Sequence, residues 1–184
     1  VKPQDLQIIS PQRSGEVGVL RLNDLIQNRL TGRNKSVFKK KSANHEVTFY
    51  IGDKVIQRKN NYELGVMNGD QGIIKRESGK DLMVEFEGSE IAFDNLQRFD
   101  LDLAYATTIH SSQGSEYPGV IIPIVSAHAH MLSRNLIYTA ITRGKGQVCI
   151  VGEIAALEKA LAQFQKDFRW TSLSEQLKED LKID

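Results

Sequence analysis

The apolar positions of the chain follow two different patterns along its length. In the first pattern, "DLQIISP" predicts a short buried strand that Pro11 ends. "VGVLRLNDLIQNRL" predicts an amphipathic helix, because the following residues recur at helical spacing: Leu22, Leu25, Ile26, Arg29 and Leu30. The next segment, "TGRNKSVFKKKSANHE", breaks that pattern with Gly32 and a run of basic residues.

From residue 47 to 97 the pattern changes to short strands. "TFYIGDKVIQRKN", "GIIKRES", "DLMVEFEG" and "EIAFDN" are separated by Gly, Asn and Asp turns, and "NGDQG" at 68–72 is a hairpin signal. Four or five short strands within about fifty residues predict a small β-barrel.

After Asp100 the first pattern returns. "LDLAYATT" and "QVCIVG" predict strands, and the continuous apolar run "GVIIPIV" is typical of a strand covered on both faces. "SRNLIYTAITRG" predicts a helix with Ser133 as N-cap and Gly144 as its stop, and "EIAALEKALAQFQKDF" predicts another. This alternation predicts an α/β fold, a mostly parallel sheet with helices on both faces, interrupted by the barrel. We expect residues 1–45 and 99–170 to form the α/β unit, 46–98 the insert, and 171–184 a polar tail.

Composition adds broad limits. The chain has 184 residues and a net charge of +1, which neither requires nor excludes nucleic acid as a partner. The single Cys149 has no partner for an intrachain disulfide, which fits a reducing cytoplasm. No apolar run approaches membrane-spanning length, and we expect no membrane association. Because the chain begins with Val1 and a strand pattern follows almost at once, we expect a fragment of a longer protein.

The stretch "TTIHSSQGSEYPGVIIP", residues 107–123, is the main candidate for chemistry. It places His110, Gln113 and Glu116 around Gly114, which lets a ligand approach the backbone closely. Polar groups at the ends of strands in an open α/β sheet point to a site. The same residues are also compatible with a satisfied polar turn and a core histidine.

A second candidate is Arg143, which ends the helix "SRNLIYTAITR", next to Gly144 and Lys145. A guanidinium group there is suited to bind phosphate with its planar fork of donors. The alternative is structural, because basic residues at a helix C-terminus interact favourably with the helix dipole.

These motifs resemble those of superfamily 1 helicases. "YATTIHSSQGSEYPGVIIP" and "LSRNLIYTAITRGKGQVCIVG" resemble the last two motifs, and "IISPQRSGEVGVLRLNDLIQ" the fourth motif of the RecD-like branch. "GDKVIQRKNNYELGVMNGDQGII" resembles the opening of the SH3-like insert of that branch. The resemblance covers most of residues 6–152.

The resemblance implies a second RecA-like motor domain, of the P-loop NTPase type, with an SH3-like barrel inserted in it. ATP would bind in a cleft between this domain and a first motor domain upstream. Arg143 matches the arginine finger, and Arg13 matches the arginine of the fourth motif on the γ-phosphate side. Gly114 and Glu116 match positions that line the nucleotide, and Gln113 would couple it to DNA.

The expected DNA side includes Thr108 and His110, which match residues that hold single-stranded DNA. Phosphate contacts and stacking allow a grip that does not depend on sequence. The other candidates, from "KNNYELG" and the start of the helix before Arg143, are Asn60, Asn61, Tyr62, Arg134 and Asn135. Tyr62 is equally compatible with a half-buried barrel position. The run Lys39–Lys41 is more typical of a solvated loop than of a phosphate contact. Ser111 stands where RecD-like relatives usually carry a basic residue, and Gly144 where alanine is common.

The sequence contains no G-x-x-x-x-G-K-[ST] motif and no strand that ends in an Asp-Glu pair suited to Mg²⁺. We therefore expect the phosphate cradle and the Mg²⁺ ligands upstream, and the chain to be inactive alone. The expected parent is an ATP-dependent 5′–3′ DNA helicase of RecD-like, exodeoxyribonuclease V α type. A stand-alone helicase, a relaxase fusion and an exonuclease subunit stay open, as does an ATPase-dead nucleic-acid or protein-binding module.

Overall fold

A computed structural model describes residues 5–42 and 45–163. The predicted polar tail and the last part of the predicted final helix lie outside these residues. In chain order the elements are β1 (Leu6–Ser10), α1 (Val19–Leu30), β2 (Ser36–Ser42), β3 (His45–Tyr50), β4 (Lys54–Gln57), β5 (Gln71–Ser78), β6 (Asp81–Phe86), β7 (Ser89–Phe93), β8 (Leu101–Leu103), β9 (Ala106–Thr108), β10 (Tyr117–Ile124), α2 (Arg134–Ile141), β11 (Gly144–Gly152) and α3 (Ile154–Ala162).

The α/β part is built on a parallel sheet with the strand order β11-β10-β1-β9. The connection from β1 to β9 and that from β10 to β11 leave the sheet centre in opposite directions. Because crossovers between parallel strands are right-handed, α1 and α2 lie on opposite faces. The predicted mostly parallel sheet with helices on both faces is therefore confirmed.

One hydrophobic core lies between this sheet and the helices α2 and α3. It joins alternate residues of β10 to the two helices, and its members include Val120, Ile122, Ile124, Ile137 and Ala156. These side chains share one face because side chains alternate along a strand.

The second unit is an antiparallel sheet with the strand order β7-β6-β5-β4-β8. Its core is separate and includes Phe49, Val55, Ile74, Leu82 and Phe93. This SH3-like sheet agrees with the prediction of an all-β insert. β8 pairs with β4 through Val55 and Leu103, so the antiparallel sheet extends past residue 98. The predicted boundary between the insert and the α/β unit at that residue stays a prediction.

Two local predictions were wrong. The run of lysines is not a loop: it lies in β2, which pairs with β3 as an antiparallel hairpin. The segment "QVCIVG" is not buried along its length, because β11 is the edge strand of the parallel sheet in the described part of the chain.

The predicted apolar face of α1 was also wrong in part. Leu25 is 47% exposed and Leu30 is 52% exposed, whereas the polar Asn23 and Gln27 are buried. The helix packs on backbone groups and on a buried carboxylate, and these need hydrogen bonds rather than apolar contacts.

Candidate functional site

The polar stretch after β9 runs from the carboxyl ends of the parallel strands to their amino ends. We call these two ends of the sheet its carboxyl edge and its amino edge. Thr108, at the end of β9, pairs with Ser10 at the carboxyl end of β1. Gly119, near the start of β10, pairs with Leu6 at the amino end of β1. Residues 109–116 therefore connect the carboxyl edge of the sheet to its amino edge, and we call them the crossing loop.

At the carboxyl edge, Thr108 and Ser111 close a tight turn. The Thr108 hydroxyl donates to the Ser111 hydroxyl (2.8 Å) and accepts from the Ser111 backbone amide (3.1 Å). His110 is exposed at the start of the 3₁₀ turn His110–Ser112. This geometry gives Ser111 a structural role, because its hydroxyl and its amide both hold Thr108 in place.

The same turn is anchored to the core. The Ile109 side chain is fully buried, and the Ile109 amide donates to the Ser10 carbonyl at 3.1 Å. The buried Ser112 hydroxyl donates to the Ile109 carbonyl at 2.7 Å. These contacts hold the turn rigidly at the end of β9 while Thr108 and His110 face outward.

Three other predicted residues lie at this carboxyl edge. Helix α2 starts here with Ser133 as N-cap, whose hydroxyl accepts from the Leu136 amide, as predicted. Arg134 and Asn135 are exposed in its first turn. Arg13 is exposed three residues after the end of β1.

Arg143 lies at the opposite, amino edge. Its guanidinium group donates to the carbonyls of Ser115 (3.2 Å) and Thr139 (3.3 Å) and to the Thr142 hydroxyl (3.3 Å). The Tyr117 amide donates to the Arg143 carbonyl at 2.8 Å. The guanidinium group thus rests on neutral oxygens, and in the part of the chain that the structure describes no carboxylate forms an ion pair with it. The contact with Thr139 also agrees with the helix-end alternative.

Glu116 lies beside Arg143, at the end of the crossing loop. Its carboxylate forms an exposed ion pair with the Lys145 ammonium group at 2.9 Å. The hydrogen bond and charge of Lys145 lower the pKa of Glu116, with a smaller contribution from the Arg143 charge. Glu116 therefore stays ionised at neutral pH and is held next to Arg143.

Gln113 and Gly114 occupy the middle of the crossing loop and are exposed. Gly114 has a φ of +85°, a conformation that residues with a side chain rarely adopt, and the space where a Cβ would lie is open. Glycine here lets the backbone reverse direction and leaves the loop surface free for a ligand.

The structure does not bring Arg13 and Arg143 together. Arg13 follows the carboxyl end of β1, whereas Arg143 precedes β11 and lies at the amino edge. Since the two edges lie at opposite ends of the strands, a shared contact with one phosphate stays a prediction.

Tyr62, Asn60 and Asn61 lie on the loop between β4 and β5. The Asn60 side-chain carbonyl accepts from the Asn68 amide at 2.9 Å, and Asn61 pairs with Val66 through backbone hydrogen bonds. Tyr62 is 78% exposed, so the alternative of a half-buried ring was wrong. The two asparagines shape the loop, and the Tyr62 ring projects from it.

The lysine run in β2 is not one basic surface. The Lys40 ammonium group donates to the Asp102 carboxylate at 2.7 Å, while Lys39 lies 3.6 Å from Glu46. Two of the three charges are therefore paired with carboxylates.

The sequence interpretation missed Ser115. Its contact with Arg143 uses a backbone carbonyl, which every residue has, so no side-chain pattern signals it.

A cleft of about 720 Å³ separates the amino edge of the parallel sheet from the antiparallel sheet. Tyr117 and Pro118 line it from one side, and Gln71 and Lys75 from the other. The Gln71 amide group donates to the Tyr117 hydroxyl at 3.4 Å, a contact that joins the two sheets directly.

Among residues 5–42 and 45–163, no group of three or more His, Cys, Asp or Glu side chains is arranged to hold a metal ion. No helix in this part of the chain has the length and apolar character needed to cross a membrane.

Two known families match parts of the chain. The UvrD-like helicase C-terminal domain matches residues 103–151, which include the crossing loop, α2 and most of β11. The SH3 domain of ATP-dependent RecD-like DNA helicases matches residues 22–86.

Solved structures share the fold. A Bacteroides Pif1 helicase in complex with ADP-AlF3 and ssDNA superposes with a TM-score of 0.59 at 20% identity, over 95% of this chain and 45% of that one. A Pif1 helicase from Candida albicans gives a TM-score of 0.58 at 14% identity, over 94% and 50%. Fold and family matches together describe a RecA-like unit that carries an SH3-like sheet and is similar to superfamily 1 helicases.

Sequence relatives narrow this class. The chain is 35% identical to the ATP-dependent RecD2 DNA helicase of Deinococcus radiodurans over 96% of its own length and 24% of that protein. It is 33% identical to the RecBCD enzyme subunit RecD of Mycolicibacterium smegmatis over 62% of its length and 20% of the relative. The chain spans about a quarter of the length of these curated relatives. The findings fit a C-terminal fragment of a RecD-like helicase and confirm the resemblance seen in the motifs.

Proposed function

We propose that the chain is the C-terminal motor region of an ATP-dependent DNA helicase that moves 5′ to 3′ along single-stranded DNA. The matches to RecD-like helicases support the general class. The observation that carries the specific proposal is that the crossing loop joins two opposite ends of the sheet. Charged groups lie at its amino edge, and polar groups suited to DNA lie at its carboxyl edge.

The amino edge would meet the nucleotide. Within the described residues, the hydrogen bonds of the Arg143 guanidinium group go to neutral oxygens, so its charge would be available to an anion. A planar guanidinium group matches the geometry of a phosphate, and an arginine finger stabilises charge that develops on the transferred phosphoryl group. Glu116, ionised and held by Lys145, would accept hydrogen bonds from ribose hydroxyls.

The carboxyl edge would hold DNA. Thr108 and His110 present polar groups there, and Arg134 and Asn135 are exposed in the first turn of α2. Such exposed polar groups suit contacts to phosphates and sugars. Asn60, Asn61 and the exposed Tyr62 would add a stacking platform on the antiparallel sheet.

The crossing loop would couple the two edges. Ser115 accepts from Arg143 at one end, and Thr108 and Ser111 close the turn at the other. When Arg143 moves from Ser115 to a γ-phosphate, the loop loses a contact at its nucleotide end. Gln113 and Gly114, in the middle, would transmit that change to the DNA contacts.

ATP would supply the free energy for movement along DNA. The phosphate cradle and the Mg²⁺ ligands would belong to a first motor domain outside this chain, so the chain alone would not hydrolyse ATP. Single-stranded DNA and that domain are the proposed partners. Further partners in recombination or repair stay open, although one relative is a subunit of the RecBCD enzyme.

The test is DNA-stimulated ATP hydrolysis and strand separation by the full-length protein, with substrates of both polarities. Arg143→Ala should lower kcat by about 10³-fold or more, because the arginine acts on the transition state, and should leave the Kd for single-stranded DNA almost unchanged. Arg29→Ala, an exposed arginine on α1, is the matched control and should keep wild-type kcat. An unaltered kcat in Arg143→Ala would refute the arginine-finger assignment, and unwinding from the opposite polarity would refute the direction.

A further inference from the structure

Buried polar contacts join the two sheets, beside apolar contacts of Ile26 and Tyr105 with the core of the antiparallel sheet. The buried apolar residues form two separate clusters, one for each sheet. Between them lie six polar or charged residues that are each at most 8% exposed: Gln7, Asn23, Gln27, Thr31, Asp53 and Lys54. We call these six residues the polar seam.

Asp53, in the turn before β4, is the centre of the polar seam. Its carboxylate accepts four hydrogen bonds: from the Gln27 amide group (2.6 Å), the Tyr50 backbone amide (2.8 Å), the Tyr105 hydroxyl (2.9 Å) and the Thr31 hydroxyl. Burial raises the pKa of Asp53, and these hydrogen bonds act in the opposite direction. The four donors come from α1, from the end of α1, from β3 and from the segment that leads into β9, so one carboxylate ties both units together.

Helix α1 presents a polar stripe to the seam. Asn23, Gln27 and Thr31 are spaced by four residues and so lie on one side of the helix. Gln27 donates both to Asp53 and, at 2.8 Å, to the Thr48 carbonyl of β3. A helix that buries its polar side is suited to bind the backbone of a neighbouring unit.

Lys54 and Gln7 form the other half of the seam. The Lys54 ammonium group donates to the Gln7 side-chain carbonyl at 3.0 Å. The Gln7 amide group in turn donates to the carbonyls of Ala104 (3.1 Å) and Tyr105 (3.3 Å). This chain of bonds links β4 to β1 and to the strand that returns from the insert.

Hydrogen bonds constrain direction as well as distance, whereas apolar contacts tolerate sliding. A buried and satisfied polar network therefore selects one arrangement, because any other leaves polar groups without partners. We propose that Asp53 is a positioning residue that, through the polar seam, holds the antiparallel sheet in one orientation on the parallel sheet. If the proposed function holds, on which this step rests, the fixed orientation of the two sheets means that Tyr62 and the Thr108–His110 edge bind DNA as parts of one rigid body.

The test measures a distance in the full-length protein without DNA or nucleotide. Spin labels on unnatural amino acids replace Lys80, at the exposed tip of the antiparallel sheet, and Glu158, exposed on α3. Pulsed electron spin resonance should give a single narrow distance distribution. Asp53→Asn should broaden it or add a second population, because an amide nitrogen would face donors that now face a carboxylate oxygen.

Asp102→Asn is the matched control. Asp102 accepts from Lys40 and Arg58 at 2.7 and 2.9 Å, but both partners lie outside the seam. Its distribution should stay narrow. If circular dichroism shows that Asp53→Asn is unfolded, the distance distribution is measured in Tyr105→Phe instead. This variant removes a single donor to Asp53 and should broaden the distribution less. A broad distribution in the wild type, or a folded seam variant as narrow as the wild type, would overturn the proposal.

A second readout separates this proposal from the proposed function. Asp53→Asn should lose strand separation while it keeps DNA-stimulated ATP hydrolysis, because the hydrogen bonds of the Asp53 carboxylate go neither to Arg143 nor to the crossing loop. Equal loss of both activities would contradict a positioning role. If the wild-type protein shows no helicase activity at all, the proposed function fails, but the distance measurement still tests the seam.

Discussion

Asn23 gives the sharpest test of how the parallel sheet is completed. Among the described residues β9 is an edge strand of the parallel sheet, and the Asn23 side chain takes the place of a neighbouring strand beside it. Its carbonyl accepts from the Ala106 amide at 2.8 Å, and its amide group donates to the Ala106 carbonyl at 3.1 Å. Replacing Asn23 by leucine keeps the approximate size of the side chain and removes both hydrogen bonds.

The cost follows from the burial of Ala106, which is 0% exposed. Each backbone group left without a partner costs about 1–3 kcal/mol, so the two together cost about 2–6 kcal/mol. The leucine side chain regains about 1.5 kcal/mol through burial of apolar surface. We expect Asn23→Leu to lower the free energy of unfolding by about 3 kcal/mol, which corresponds to a fall in Tm of about 6–12 °C for a chain of this size.

The assay is urea and thermal unfolding followed by circular dichroism. Asn28→Leu is the matched control: it makes the same change on the same helix at an exposed position and should alter stability by less than about 0.5 kcal/mol. If Asn23→Leu is as stable as the wild type, the Ala106 backbone groups do not depend on Asn23 and the reasoning is refuted.

Two further predictions concern DNA binding and pH. Tyr62→Ala should weaken single-stranded DNA binding by about 1–3 kcal/mol, measured by fluorescence anisotropy, while Tyr62→Phe should bind normally because the stacking ring is kept; equal Kd values for both variants would contradict stacking. Burial lowers the pKa of Lys54 to about 8 from 10.5, so the folded chain releases this proton at lower pH than the unfolded chain. Stability should therefore rise as the pH increases from about 8 toward 10.5. In urea unfolding at a series of pH values, Lys54→Met should flatten this rise, and Lys75→Met, which changes an exposed lysine, should not. Identical profiles for Lys54→Met and the wild type would contradict the lowered pKa of Lys54.

Local patterns predicted much of the fold. Apolar runs with turn residues at their ends predicted β1, β10 and the short strands of the insert, and Ser133 was a correct N-cap. These signals depend on neighbours within a few residues, which the sequence displays directly. The pattern failed in part at α1, where Leu25 and Leu30 are exposed, since the polar side of that helix is buried against groups that lie far away along the chain.

In the candidate site too, residues close together in the chain could be proposed from the sequence, whereas their positions in space could not. Motif resemblance proposed Thr108, His110, Gln113, Gly114, Glu116 and Arg143 as site residues, all within two short segments, and these assignments stay predictions. It also assigned Arg13 to the γ-phosphate side, and the motifs did not show that the fold puts Arg13 and Arg143 at opposite ends of the strands, because strand direction and helix direction decide where each end lies. No side-chain pattern could have predicted that the Ser115 backbone carbonyl accepts a hydrogen bond from Arg143.

By itself, the sequence determined which residue types the chain offers and which segments become strands or helices, since both depend on local spacing and turn chemistry. The tertiary structure alone decided that the crossing loop spans the sheet, that Ser111 holds Thr108, and that Asp53 gathers four donors, three of them from distant segments. The physical reason is that hydrogen bonds between segments depend on strand register and on how elements cross, and neither is written in the spacing of residues along the chain.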